Sequence, residues 1–187
     1  EVPAFMVIDK TFLSASEPDA DGLFLVSYAI TVENTGGSTG TYDLSDTPNP
    51  DGNVLVDSAT VSGQASNSFA NAGPYDLATD ESIDAGETQT YFLDVSAHLS
   101  TDVLTGVTNI TDCLIGVTGY TSGNGLFNAA TVTYGTNDVT VTTNACGDVP
   151  AFMVIDKTFI SASEPDADGL FLVSYAITVE NTGGSTG

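Results

Sequence analysis

Apolar and polar residues alternate with a period of two along most of the chain. Phe24, Val26, Tyr28, Ile30 and Val32 take one parity, and Leu25, Ser27, Ala29, Thr31 and Glu33 the other. Neighbouring side chains of a strand point to opposite faces, so this pattern predicts a half-buried strand of about ten residues. Asn34-Thr35-Gly36-Gly37 then ends it with turn chemistry. Upstream, Met6, Ile8 and Phe12 share a parity that Asp9 and Thr11 do not. Further strands are predicted at 41–44, 53–62, 88–96, 114–117, 129–134 and 139–143. Asn49-Pro50-Asp51-Gly52, Asp84-Ala85-Gly86 and Ser122-Gly123-Asn124-Gly125 punctuate them. No window of about 12 residues carries a helical stripe. Roughly seven to nine short strands in about 150 residues predict an all-β antiparallel β-sandwich. The Asn/Ala/Ser/Gly-rich stretch 66–78 is expected to be a surface loop.

The pattern also repeats. Residues 1–40 and 148–187 are identical at 38 of 40 positions, the exceptions being Glu1/Asp148 and Leu13/Ile160. Ancient duplication within a fold leaves far weaker similarity. The reading is a tandem array with one whole domain per repeat: a complete unit at 1–147, then the opening strands of the next at 148–187. A period of 147 is too long for a solenoid of small stacked units.

Composition narrows the function. The chain has 25 acidic residues against 2 lysines and a net charge of −23. A phosphate-binding surface needs Lys or Arg, so nucleic acid is excluded as a partner, as is docking of a basic patch on anionic lipid. No apolar run reaches the roughly 20 residues that cross a bilayer, so no membrane insertion is expected. No basic, apolar signal segment opens the chain, so any targeting peptide is expected to be removed or to lie outside it. Yet the chain is 41% hydrophobic, and its 26 Thr and 17 Ser accompany frequent β-branched residues, which favours a folded β-protein over an acidic tail.

Several segments together resemble a known family. LFLVSYAITVENTGGSTGTYDLSDTP, SIDAGETQTYFLDV, GLFNAATVTYG and NACGDVPAFMVIDKT are similar to the bacterial surface repeat called domain of unknown function 11. The resemblance covers essentially the whole 147-residue unit. It implies an immunoglobulin-like sandwich, tandemly repeated in long exported proteins, without catalytic activity. The implied location is extracellular: the cell surface or an appendage of a prokaryote.

Cys113 and Cys146 fit that compartment. They form one pair per unit with no CxxC, and one His with two Cys leaves a zinc site incomplete. A disulfide is expected, with a reduced buried pair as the alternative.

The acids leave two readings open. Glu17, Asp19 and Asp21 precede Gly22 at the spacing that opens a calcium loop, and Glu164, Asp166 and Asp168 repeat it. Tyr28 stands where that loop needs Glu, so a solvated turn is the alternative to calcium, which is the one candidate cofactor. Asp80, Glu81, Asp84 and Glu87 form a weaker patch, expected to be a charged loop.

Lys10 falls on the core parity of its strand. A desolvated lysine loses its proton more readily and becomes a nucleophile. Pilus-like domains use such a lysine to form an isopeptide bond with an Asn, assisted by an acid, and Asn34 and Asn144 are candidate partners. The alternative is an edge-strand lysine paired with an acid. His98 has no Ser–His–Asp arrangement around it, and Asn109 heads the glycosylation sequon Asn109-Ile110-Thr111.

With no convergent acid/base or nucleophilic set, no enzyme is expected. The expected function is a structural component of an extracellular filament, stalk or surface array, whose partners are identical repeat units joined head to tail as a polymer. The units would be one continuous chain or strand-exchanged subunits. The alternative is an adhesin or ligand-binding module of a cell-surface protein, with a surface glycan or protein as ligand; Phe69, Tyr75 and Tyr120 are the aromatic hints.

Overall fold

The alternating stretches become strands, and their apolar parity decides which way each one faces. The computed structural model describes residues 2–116 and 119–185. In chain order the strands are β1 (Met6–Ala15), β2 (Leu23–Asn34), β3 (Gly40–Pro48), β4 (Val54–Gly63), β5 (Asn67–Phe69), β6 (Tyr75–Ile83) and β7 (Thr88–Leu99). After one helical turn, α1 (Thr101–Leu104), come β8 (Ile115–Gly116), β9 (Gly119–Tyr120), β10 (Asn128–Tyr134), β11 (Val139–Ala145), β12 (Met153–Ala162) and β13 (Val173–Asn181). The predicted strand 114–117 is represented by β8; Val117 lies outside the described residues.

Two antiparallel sheets carry the core. One has five strands in the order β1-β2-β7-β4-β5, the other four in the order β11-β10-β3-β6. Phe24, Val26, Tyr28, Ile30 and Val32 of β2 and Tyr91, Leu93, Val95, Ala97 and Leu99 of β7 are buried. So are Tyr42 and Leu44 of β3, Tyr75 and Leu77 of β6, and Ala130, Val132 and Tyr134 of β10. Burial of each such large apolar side chain contributes about 1.5–3 kcal/mol, which is what holds the two layers together. A bulge between Val56 and Ser58 shifts the parity of β4, so Val54 before it and Ala59 and Val61 after it all reach the core.

The stretch 66–78 departs from the expected loop. It contains β5, paired to β4, and the start of β6, where Tyr75 is fully buried and packs on Phe69 at 4.9 Å. Few β-branched residues mark this segment, so its strands arise from the pairing offered by β4 and β3 rather than from local preference.

The expectation of tandem immunoglobulin-like sandwiches is also corrected. The chain is all-β, but its described residues form one body of four unequal sheets of five, four, two and two strands. Nor is it an array of identical units joined head to tail, because its sheets do not repeat. The second copy of the duplicated sequence forms only the two-stranded ribbon β12-β13. Two strands cannot enclose a core of their own. Its hairpin keeps the register of the first copy, Met153 opposite Asn181 as Met6 is opposite Asn34. Its surroundings differ: Ile30 is fully buried, whereas its counterpart Ile177 is 61% exposed. The ribbon is tied to the rest through buried Thr182, whose carbonyl accepts from Ile110 N at 3.1 Å and whose hydroxyl donates to the Val103 carbonyl at 3.1 Å.

Candidate functional site

Among the described residues, five polar strand residues are buried where the pattern calls for apolar ones: Asn34, Gln89 and a group of three. Lys10 in β1, Asp46 in β3 and Asn128 in β10 are all buried between the two main sheets. Asp46 lies opposite Ala130, so Asn128, two residues away on the same inward face, is its diagonal neighbour. From the other sheet, Lys10 Nζ donates to Asp46 Oδ2, both side chains being fully inaccessible. The amine also lies 4.7 Å from the centre of the Tyr28 ring, and the Tyr28 hydroxyl donates to the Leu126 carbonyl at 2.5 Å.

The electrostatics follow from burial. Desolvation lowers the pKa of Lys10 against the opposing pull of Asp46. Desolvation likewise raises that of Asp46, against Lys10 and the nearby Asn128 amide. Both shifts favour the uncharged forms, an amine beside a carboxylic acid. Asn128 lies close enough to act on Asp46, yet among the described residues neither polar atom of its carboxamide makes a well-formed hydrogen bond, and Asp46 Oδ1 is also unpartnered. Each such buried orphan costs about 1–3 kcal/mol, so the cluster is not the cheapest way to fill this core.

The two asparagines proposed as partners of Lys10 lie elsewhere. Asn34 pairs with Met6, four residues from Lys10 or roughly 13 Å along the strand. Its carboxamide accepts from Phe5 N and Gly36 N and donates to the Ser38 and Ile83 carbonyls, so it is spent on the turn. Asn144 is half-buried in β11, with its side-chain oxygen accepting from Tyr120 N at 3.0 Å. The structure brings Lys10 to Asp46 instead, and Asp46 has Asn128 as its neighbour. Parity would have found both: Asn128 shares the face of Ala130, Val132 and Tyr134, and Asp46 that of Tyr42 and Leu44.

Cys113 and Cys146 form the expected disulfide. The acid-rich turns are held by hydrogen bonds to their own backbone. Asp19 accepts from the backbone N–H groups of Asp21 and Leu23, both at 2.9 Å, and Asp166 does the same for Asp168 and Leu170. Glu17, Asp21, Glu164 and Asp168 are exposed or half-exposed around these turns. Among the described residues, no three His, Cys, Asp or Glu are grouped to hold a metal ion. Asn109 is exposed just after α1. His98 Nδ1 is 2.9 Å from Asp57 Oδ2 on the surface.

A second polar feature lies on the outer face of the four-stranded sheet. The register between β3 and β6 slips on both sides of Leu44. Such irregularity separates neighbouring strands and re-aims their side chains. The result is a groove of about 280 Å3, lined by Asp43, Ser45, Asp76, Thr79, Thr131 and Thr133. Asp43 accepts from Asp80 N at 2.8 Å and so fixes one wall. Thr131 is held by the Thr142 hydroxyl at 2.9 Å on the adjoining strand. The groove thus presents carboxylate acceptors beside hydroxyls that both donate and accept.

No protein-family profile matches this chain, and no curated protein sequence matches it. Among solved structures it is similar to an inactive D437A mutant of the GH20 exo-β-N-acetylglucosaminidase of Vibrio harveyi, at 14% identity and a TM-score of 0.30 over 87% of this chain and 21% of that one. The same enzyme in complex with N-acetylglucosamine gives 11% identity and 0.30 over 86% and 25%. The chain therefore spans a quarter or less of these proteins. Likenesses this weak carry no argument about activity. The resemblance to domain of unknown function 11 is withdrawn, since no family profile takes up its segments. Those segments span β2 and β3, the end of β6 and most of β7, β10, and the end of β11 with the start of β12, and strand alternation with turn residues recurs in many sandwiches. What stands is a β-rich domain with one disulfide, Cys113–Cys146.

Proposed function

We propose that this chain is a ligand-binding module of a cell-surface protein, a segment of an adhesin, and that it catalyses no reaction on its ligand. The observation behind this reading is the groove across the outer face of the four-stranded sheet, where Asp43, Asp76, Thr131 and Thr133 converge. Paired carboxylates and hydroxyls suit a ligand rich in hydroxyl groups, such as a surface glycan. The net charge of −23 disfavours polyanions and selects neutral or cationic ligands. Phe69 and Tyr75 play no part as a stacking platform, because they pack on each other and Tyr75 is buried.

A glycan array probed with the whole chain tests this reading. Binding to neutral glycans is expected, with a Thr131→Val/Asp76→Ala variant losing at least about tenfold in affinity, or about 1.4 kcal/mol, at unchanged melting temperature. Absence of binding, or binding indifferent to those substitutions, would overturn it. A load-bearing role in a stalk is the second reading, favoured by the disulfide that ties the irregular segment before β8 to the end of β11.

A further inference from the structure

We propose that Lys10 and Asn128 become joined by an intramolecular isopeptide bond, formed by the folded chain itself with Asp46 as the proton-transfer group. The geometry supplies the three parts such a reaction needs. Lys10 and Asn128 come from opposite sheets and meet at one carboxyl group, Asp46. All three are buried, which keeps bulk solvent from the reacting groups. The Asn128 carboxamide has no well-formed hydrogen bond to hold it in its present state, and Asp46 Oδ1 is free to engage it.

The reaction needs no co-reactant. Lys10 Nζ, as the neutral amine, attacks Asn128 Cγ while protonated Asp46 hydrogen-bonds to the carboxamide oxygen and stabilises the charge that develops there. The Cγ–Nζ bond forms and the Cγ–Nδ2 bond breaks. One proton passes from Nζ through Asp46 to Nδ2, which leaves as ammonia, and Asp46 returns to its starting state. Nothing is oxidised or reduced. Burial disfavours charge on both Lys10 and Asp46, the direction this route requires. A cleft lined by Tyr28, Val95 and Leu126 reaches Asn128, with about 10 Å3 of open space, enough for one molecule the size of water or ammonia. Holding the two groups in one site replaces a bimolecular aminolysis by an intramolecular one, the effect that makes an unactivated amide reactive.

The chain carries its own control. Lys157 sits in the same hairpin sequence and lies 4.4 Å from the Tyr175 ring centre, as Lys10 lies over Tyr28. Yet Lys157 is exposed on a two-stranded ribbon, without the enclosure that surrounds Lys10. It should therefore remain a free amine.

Intact mass spectrometry of the reduced, denatured full chain tests the proposal, followed by peptide mapping. The expected mass is about 17 Da below that of the sequence, the loss of one ammonia and not two. Mapping should recover a branched peptide joining Lys10 to Asn128, and an amine-reactive label should modify Lys157 but not Lys10. Asp46→Asn should restore the full mass in a folded chain. A full-mass wild-type chain with unmodified Lys10 would overturn the proposal. So would an ammonia loss that maps to a cyclised Asn124-Gly125 rather than to a branch. Because the wild-type peptide map decides by itself, a variant that fails to fold does not blunt the test.

Discussion

Replacing Cys113 and Cys146 together by Ala removes the disulfide without leaving a lone thiol. The bond closes a loop of 33 residues, and the chain-entropy relation gives about 3.7 kcal/mol for a loop of that length. For a chain of this size each kcal/mol moves the melting temperature by about 2–4 °C, so the double variant should melt about 7–15 °C lower. Other bonds hold the same region: Gly125 N donates to the Thr111 carbonyl, Leu126 N to the Gly147 carbonyl, and Cys113 N to Asp148 Oδ1, each at 2.7 Å. These should keep the native structure in place, so the loss should arise in the unfolded ensemble, which becomes more expanded. Urea unfolding followed by tyrosine fluorescence, the chain having no Trp, reads both quantities. Stability should fall while the denaturant slope rises. A drop of less than about 3 °C with an unchanged slope would show that the loop is already closed without the bond, and would refute the entropic account.

Other outcomes follow from single contacts. Burial pushes Asp51 up, but bonds from the Thr111 hydroxyl and from the Asn53 and Thr111 N–H groups outweigh it and hold its pKa below the ordinary value. A depressed folded pKa stabilises above the carboxylate range and is lost as pH falls through it. Asp51→Asn should therefore cost about 1–3 kcal/mol at neutral pH by chemical denaturation, the gap to wild type closing below about pH 4. In the turn after β2, a Cβ on Gly36 would lie 2.2 Å from the Pro3 carbonyl oxygen and 2.6 Å from Ala4 Cα, both backbone atoms. Gly36→Ala should cost about 1–3 kcal/mol, read in the same denaturation assay. Chelation by EDTA should leave the melting temperature within about 1 °C, because Asp19 and Asp166 are engaged by their own turns; a larger fall would restore calcium as a ligand.

Much of the strand layout was legible because alternation is a direct record of which face is buried. β2, β4, β7, β10 and β11 fall within a few residues of the stretches their parity predicts. β5 and the whole of β6 were not legible, because their pairing is supplied by distant strands and their composition is that of a loop; Asp80 and Glu81, expected in a charged loop, lie in β6. The inward placement of Lys10 was readable from Met6 and Ile8, but its partners were not sought by the same rule. Asn34 and Asn144 were chosen by residue type, whereas the residues that meet Lys10 are the polar exceptions on the inward faces of β3 and β10. The groove depends on slips in register at Leu44, which a single sequence does not record. The near-identical ends misled in another way: identity of sequence fixed the hairpin register in both copies but not what would cover them.

That duplication makes the chain a measuring device for itself. An amide's intrinsic hydrogen-exchange rate depends on its immediate neighbours, and β1-β2 and β12-β13 have almost the same ones. Comparing Ile30 with Ile177, or Val32 with Val179, within one sample cancels that chemistry. The ratio of their protection factors isolates what the sandwich adds to a hairpin that is otherwise the same, about 1.4 kcal/mol for each factor of ten. Few proteins hold an enclosed element and its exposed twin in one molecule, under the same pH, temperature and solvent. Here the contribution of enclosure to a β-hairpin becomes a difference between two peaks of one spectrum.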